Sequence, residues 1–459
     1  MEKGPSPLTV QNQPLLETHS QQEDSGCFPC FQGMRSCEKV GVKCKLPSKG
    51  LFRKPVFKKK LKSAYVVSPE LKVSSKRSEV IPSKQSTASK ELASWQEKVA
   101  KLSREMANRA GKPNVDSNRS IAEMTLHGTH DSGTYSIKFP RLSKVPGLKY
   151  IAKLAKNYSV TQTKTISEQL NSGVRYLDLR LRSSSTESGF RIHHGVVNGS
   201  DSTTGLGELF EYARQHPKEM VVVKMQFDHD KGDSLDTFYQ SFLKNNEALL
   251  VKKTDDDGNP RSFADIKPGE GQGNIVLMTK DKKSHLSSKY DGCWDYKKST
   301  FTKWANTAES SELKNTNKRL LSRKVEAREG KLLINQMQKT SLTTALKNRD
   351  AMKSLYEQAE TVNSKIDDWL VEWARKDPSI KPNIISSDFF DAFEEGENMY
   401  ISIAFNLLDV DDGLIKKEFP ETADRIIKAK ERIKGSETIS PIPKAKGIAH
   451  RFKAMLQRR

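Results

Sequence analysis

The chain has little cysteine, no long apolar run, and too few acidic residues to balance its basic ones. Five of its 459 residues are cysteine: Cys27, Cys30, Cys37, Cys44 and Cys293. An odd count, with four crowded near the start, excludes the framework of a disulfide-stapled secreted domain. No stretch of about 18 apolar residues, the length a membrane-crossing helix needs, is present. The opening residues, MEKGPSPLTVQNQ, lack the apolar core of a secretory signal. Synthesis in the cytoplasm without a cleaved signal peptide is the expectation, with export by another route left open. Hydrophobic residues make up 35% of the chain. Mean hydropathy is -0.69. That is too little apolar material for a packed core along the whole length, so part of the chain is expected to stay loose.

Positive charge is abundant. Seventy-eight lysines and arginines against 57 acids leave a formal net charge of +21. Such a charge draws a protein toward anionic surfaces, either nucleic acid or an anionic membrane leaflet. The basic residues concentrate in terminal segments without a recognisable nucleic-acid fold. The expected partner is therefore an anionic membrane surface, bound peripherally, and not nucleic acid; no feature identifies a protein partner.

Residues 1–85 read as a disordered basic region suited to targeting or membrane association, rich in Ser, Pro, Gln and Lys. Within it, Phe52 and Phe57 are interleaved with Arg53, Lys54, Lys58, Lys59, Lys60 and Lys62. The early cysteines fit three readings: free thiols, acylation sites or zinc ligands. Residues 90–112 are expected to hold a flanking amphipathic helix, because Leu92, Trp95, Val99, Leu102 and Met106 recur at three- and four-residue steps. Residues 420–459 read as a basic helical tail.

From 115 to 415 short apolar runs alternate with helical segments. The expected strands are AEMTLHG, VRYLDLRLR, FRIHHG, MVVVKMQF, GNIVLMT, KLLINQM, NIISSDF and MYISIAFNLL. Strand–helix alternation over this length predicts an α/β fold, most simply a barrel, with a doubly wound open sheet as the alternative. The polar stretch 281–330 is expected to form long loops and an irregular helix. GLG at 205–207 reads as a helix entry and GEGQG at 269–273 as a turn. Trp294 and Tyr296 fit either contact with lipid or substrate, or burial in the long loop.

Only nine histidines are present, and four close two of these strands: His127 and His130 in TLHGTHDSGT, His193 and His194 in FRIHHG. Between them runs RYLDLRLR. Alternation puts Tyr176, Asp178, Arg180 and Arg182 on one face and Leu177, Leu179 and Leu181 on the other. Buried arginines beside a carboxylate make sense if they pair with it or bind an anion. Two histidines and an arginine are the equipment of phosphodiester cleavage. One histidine takes a proton, the other gives one, and the arginine offsets charge on phosphoryl oxygens. Ligation of a metal by histidines and Asp178 is the competing reading. An arginine two residues after Asp178 disfavours a cation there, so no metal or other cofactor is expected. His127 and His193 read as packing or supporting histidines.

THDSGT at 129–134, VRYLDLR at 174–180 and HHG at 193–195, in this order, resemble the X-domain region of phosphatidylinositol-specific phospholipases C. The likeness is to the bacterial and trypanosome-like, metal-independent branch and covers 115–415. It implies a distorted or incomplete TIM barrel with its site at the C-terminal ends of the strands. It further implies His130 as general base for the inositol 2-hydroxyl, Arg180 in place of the calcium ion of eukaryotic relatives, and His194 as general acid for the diacylglycerol oxygen. Asp131 would pair with that acid, Asp178 would lie near the phosphate, and Asp388 would orient His130. His130 and Asp131 are adjacent in the chain, so their side chains are expected to diverge. On the substrate side the pattern departs from the family. Gln226 stands where a lysine is expected, with Lys224 two residues earlier on the same face. Lys280 replaces an arginine, and LLINQMQK is not a clean match to the inositol pocket.

The implied reaction converts phosphatidylinositol, a phosphorylated form or a glycosyl-phosphatidylinositol anchor to diacylglycerol and inositol 1,2-cyclic phosphate. A metal-dependent glycerophosphodiester phosphodiesterase-like enzyme and an inactive inositol-lipid-binding protein are the alternatives. An exported effector acting at host membranes would reconcile the missing leader with a lipid-directed enzyme.

Overall fold

Ten strands form one sheet among the described residues. The computed structural model describes residues 87–435 except 114–115, 117, 138–157, 186–187, 196, 229–231, 323–329, 341–353 and 393–396. The expected disordered region with its cysteine cluster and basic run, and the tail from 436 onward, lie outside the described residues.

The strands are β1 (Leu126–Thr129), β2 (Tyr176–Ser183), β3 (Phe190–His194), β4 (Val197–Asp201), β5 (Val221–Asp228), β6 (Ile275–Lys280), β7 (Cys293–Asp295), β8 (Thr300–Thr302), β9 (Leu332–Gln336) and β10 (Ile384–Ser387). Their order is β7-β6-β5-β2-β1-β10-β9-β8, with the β3–β4 hairpin attached to β2. Every ladder on the main path is parallel. Val221, Val222 and Val223 are all buried, as parallel strands covered on both faces require.

The two ends of that path are tied together by a short connection. Only the four-residue helix Tyr296–Ser299 separates β7 from β8. Five residue steps from Asp295 to Thr300 span at most about 18 Å. β7 and β8 therefore lie closer than the roughly 34 Å that separates the edges of a flat eight-strand path, although no ladder joins them among the described residues. The sheet is curled on itself as a distorted, incomplete TIM barrel. Strand order runs in one direction around the curl, which excludes the doubly wound alternative, where the order reverses at a switch point.

Three expectations need correction. The run MYISIAFNLL is not a strand; Glu397–Phe405 is a helix. Met399, Tyr400, Ile401, Ile403, Ala404 and Phe405 are all buried, so apolarity alone carries no period. The polar residues do: Asn398, Ser402 and Asn406 recur every four, with Ser402 Oγ donating to Asn398 O at 3.0 Å and Asn406 Nδ2 to Ser402 O at 3.0 Å. The polar stretch 281–330 also holds more regular structure than expected, namely β7, β8 and the helix Ser310–Leu321.

The flanking helix is two helices, Thr87–Ala93 and Trp95–Arg109, broken at Ser94. Arg175 causes the break. Its Nη2 donates to Leu92 O at 3.2 Å and Ala93 O at 2.8 Å, taking carbonyls that a continuous helix would use. Glu219 pairs with Arg175 at 2.6 Å and accepts from Glu97 N at 2.8 Å, capping the second helix. The core also runs past residue 415. Ile426, Ile427, Ala429 and Ile433 on the helix Ala423–Lys434 belong to the same apolar cluster as the strands.

Candidate active site

The parallel ladders bring the C-terminal ends of β1, β2, β5 and β10 to one mouth. His130 follows β1, with its N donating to Ser387 O at 2.9 Å. Arg180 lies on β2 and Asp388 follows β10. Asp388 Oδ1 lies 2.8 Å from His130 Nδ1. On the other ring nitrogen, Arg180 Nη2 lies 2.7 Å from His130 Nε2. A guanidinium only donates, so Nε2 is the acceptor and the ring proton sits on Nδ1, facing Asp388. This tautomer leaves the lone pair of a general base on Nε2. Burial disfavours the charged imidazole, but Asp131 and Asp388 outweigh it and hold the His130 pKa above the usual histidine value.

His194 closes β3. Its Nδ1 lies 2.9 Å from Ser159 O and its Nε2 3.2 Å from Asp131 Oδ2. Both ring nitrogens face acceptors, so a proton on either one finds a partner. Burial pushes the His194 pKa below the usual value, against the pull of Asp131 and with the help of Arg180 and His130. In the free protein the proton is thus held more tightly by His130 than by His194.

Asp131 bridges the assembly. It pairs with Arg180 Nε and also lies 3.5 Å from His130 Nε2. The expected divergence of the His130 and Asp131 side chains is therefore wrong. Asp131 has a left-handed backbone, φ 46°, which turns its carboxylate back beneath its neighbour. Asp178 is buried, with Arg180 Nη2 3.6 Å from Oδ2 and Lys224 Nζ 3.1 Å from Oδ1. Despite burial, Lys224 and Arg180 hold its carboxyl well below the usual range.

The substrate-side residues are placed differently. Lys224 is buried against Asp178. Gln226 pairs in register with Arg180 and Lys280 with Gln226, so both lie at the mouth. Gln226 Nε2 donates to Asp228 Oδ1 at 3.2 Å. Tyr296 and Trp294 are buried, with Lys224 Nζ 5.0 Å from the Tyr296 ring centre. His127 is buried, with its Nε2 3.5 Å from Ser387 Oγ, and His193 Nε2 lies 3.1 Å from Asp228 Oδ2. Gly205 and Gly207 lie inside the helix Ser202–Gln215, and Gly269, Gly271 and Gly273 have the positive φ of a turn.

Sequence reasoning missed the supports of the site. Gln162 Nε2 donates to His130 O at 3.1 Å and Ser387 O at 3.0 Å, tying β1 to β10 at the mouth. Asn363 Nδ2 donates to Asp388 O at 3.0 Å and Phe389 O at 2.9 Å. Ser159 serves through a backbone carbonyl, which any residue type supplies, so no sequence signal marks it.

His130, Asp131 and Asp178 each offer an atom within 4.8 Å of the others, a geometry that could hold a metal ion. Arg180 stands among them, 2.7 Å from His130 Nε2 and paired with both carboxylates. With the guanidinium in that position the residue set does not fit a cation, because the ion would meet a fixed positive charge.

No protein-family model matches the chain. Human PI-PLC X domain-containing protein 2 is 27% identical over 215 residues, 43% of this chain and 65% of that protein. The 1-phosphatidylinositol phosphodiesterase of Staphylococcus aureus is 26% identical over 185 residues, 38% of this chain and 52% of that protein. The chain is similar in sequence to PI-PLC X domain-containing proteins and to bacterial 1-phosphatidylinositol phosphodiesterases. It spans about half to two thirds of the length of the curated relatives it matches. Among solved structures, the phosphatidylinositol-specific phospholipase C of Listeria monocytogenes aligns with a TM-score of 0.48 at 17% identity, covering 69% of this chain and 98% of that one.

Proposed function

We propose that this chain is a metal-independent phosphatidylinositol-specific phospholipase C. The observation that carries the reading is the pair of imidazole–carboxylate contacts on either side of one arginine: Asp388–His130 and Asp131–His194 about Arg180. His130 Nε2 takes the proton of the inositol 2-hydroxyl. The freed oxygen attacks phosphorus within the same molecule, so positioning alone supplies much of the acceleration. Arg180 turns from His130 to the phosphoryl oxygens and offsets their charge. The bond from phosphorus to the diacylglycerol oxygen breaks as His194 Nε2 protonates that oxygen. Inositol 1,2-cyclic phosphate and diacylglycerol result. A bound phosphodiester anion beside His194 raises its proton affinity and corrects the order found in the free protein.

The homology to bacterial 1-phosphatidylinositol phosphodiesterases supports the substrate class. The enzyme acts at an anionic membrane surface, consistent with its charge of +21. The test is turnover of phosphatidylinositol in mixed micelles with excess chelator, for the intact protein and H194A. Cyclic inositol phosphate from the intact protein, with H194A reduced about 10²-fold or more, is expected. Turnover that appears only when calcium is added would remove the role of Arg180. No turnover in either condition would favour a lipid-binding protein.

A further inference from the structure

Lys224 is expected at the substrate, yet it is only 7% exposed. Its Nζ lies 3.1 Å and 3.3 Å from the two oxygens of Asp178. Burial opposes its charge, but Asp178 outweighs burial and raises its pKa. The β2–β5 register pairs Asp178 with Lys224 and Arg180 with Gln226. Lys224 therefore lies one step below Arg180 on the same wall, too deep to meet a ligand at the mouth.

Asp178 thus stands between two cations, Lys224 beneath and Arg180 above, with Arg180 Nη2 at 3.6 Å. That same Nη2 is the atom that meets His130 Nε2 at 2.7 Å. The nitrogen has two claimants, and the distances show that His130 holds it. A buried carboxylate that loses its partner takes the nearest remaining cation. Here that cation is Arg180.

We propose that Lys224 is a positioning residue: by satisfying Asp178 it leaves the Arg180 guanidinium between His130 and Asp131, where a phosphodiester would meet it. Lys224 acts through Asp178 and Arg180 and does not touch substrate. The inference rests on the phospholipase reading for its meaning, but its test is read without substrate, so the two fail separately.

Arg180 Nη2 covers His130 Nε2, the nitrogen that diethyl pyrocarbonate acylates. The test is the rate of acylation of His130 in the full chain, followed by peptide mass, at a pH where its imidazole is neutral. In K224M, Arg180 is drawn down to Asp178 and Nε2 is uncovered. The rate is expected to rise about tenfold, the equivalent of one hydrogen bond to a charged group. In D178N/K224M no carboxylate draws the arginine, and the rate is expected to return to that of the wild type. A K224M rate equal to wild type overturns the proposal. So does a fast rate that persists in D178N/K224M, because Lys224 would then be holding the site closed by packing alone. If K224M does not fold, K224Q and D178N/K224Q are read in the same way.

Discussion

His130 and Asp388 stand 258 residues apart in the chain, yet Nδ1 of the one lies 2.8 Å from Oδ1 of the other. The contact selects the tautomer that leaves a lone pair on Nε2. In D388N the imidazole loses the carboxylate that holds this tautomer. We expect kcat on phosphatidylinositol to fall about 10²-fold or more, with KM changed far less. Steady-state kinetics check this, and a variant that keeps wild-type kcat would deny Asp388 its role.

The order of proton affinities is measurable in the free protein. His130 is raised by Asp131 and Asp388 against the opposing effect of burial, and His194 is lowered chiefly by burial. In 13C-histidine NMR, His130 is therefore expected to titrate at higher pH than His194. Neutralising Asp131 as D131N removes a charge that raises both. Both midpoints should then fall; a midpoint that climbs instead would contradict the contacts described.

His127 predicts a pH dependence of stability. It is buried with its pKa lowered by desolvation from 6.5 to about 4. The unfolded chain takes up the proton first as pH falls. The neutral histidine's contribution is thus complete above about 6.5 and is lost progressively down to about 4. The loss is at most about 3 kcal/mol. Urea unfolding at pH 7.5 and pH 4.5 should show a smaller acid loss in H127L than in the wild type. Equal losses would mean that other groups govern the acid limb.

Arg175 and Glu219 are both fully or almost fully buried and join the N-terminal helices to the sheet. R175M leaves Glu219 charged without its partner and strips a donor from Leu92 O and Ala93 O. A destabilisation of about 3–5 kcal/mol is expected. R175M/E219Q should recover part of it, since the uncompensated charge is gone. A double variant less stable than R175M would show that the carboxylate is not the source of the cost.

Several features were legible before any coordinates. Val221–Val223 and Ile275–Leu277 announce strands buried on both faces. The polar face of RYLDLRLR and the histidines ending the neighbouring runs foretell the gathering of His130, Arg180 and His194 around Asp131. The helix Glu397–Phe405 reads as a strand because its residues are mostly apolar, and its period survives only in Asn398, Ser402 and Asn406. The break at Ser94 leaves no local trace because its cause, Arg175, binds Ala93 O from 82 residues away.

Local sequence dictates the strand–helix alternation and the kinds of group available for chemistry. These follow from local periodicity and from side-chain pKa. Only the tertiary structure decided the partners. Asp388 reaches His130, Asp131 bridges two histidines, and Lys224 goes to Asp178 because a curled parallel sheet sets strand ends side by side. Register places these groups within a few ångströms, where low dielectric makes each charge choose its neighbour, and no local stretch of sequence records that choice.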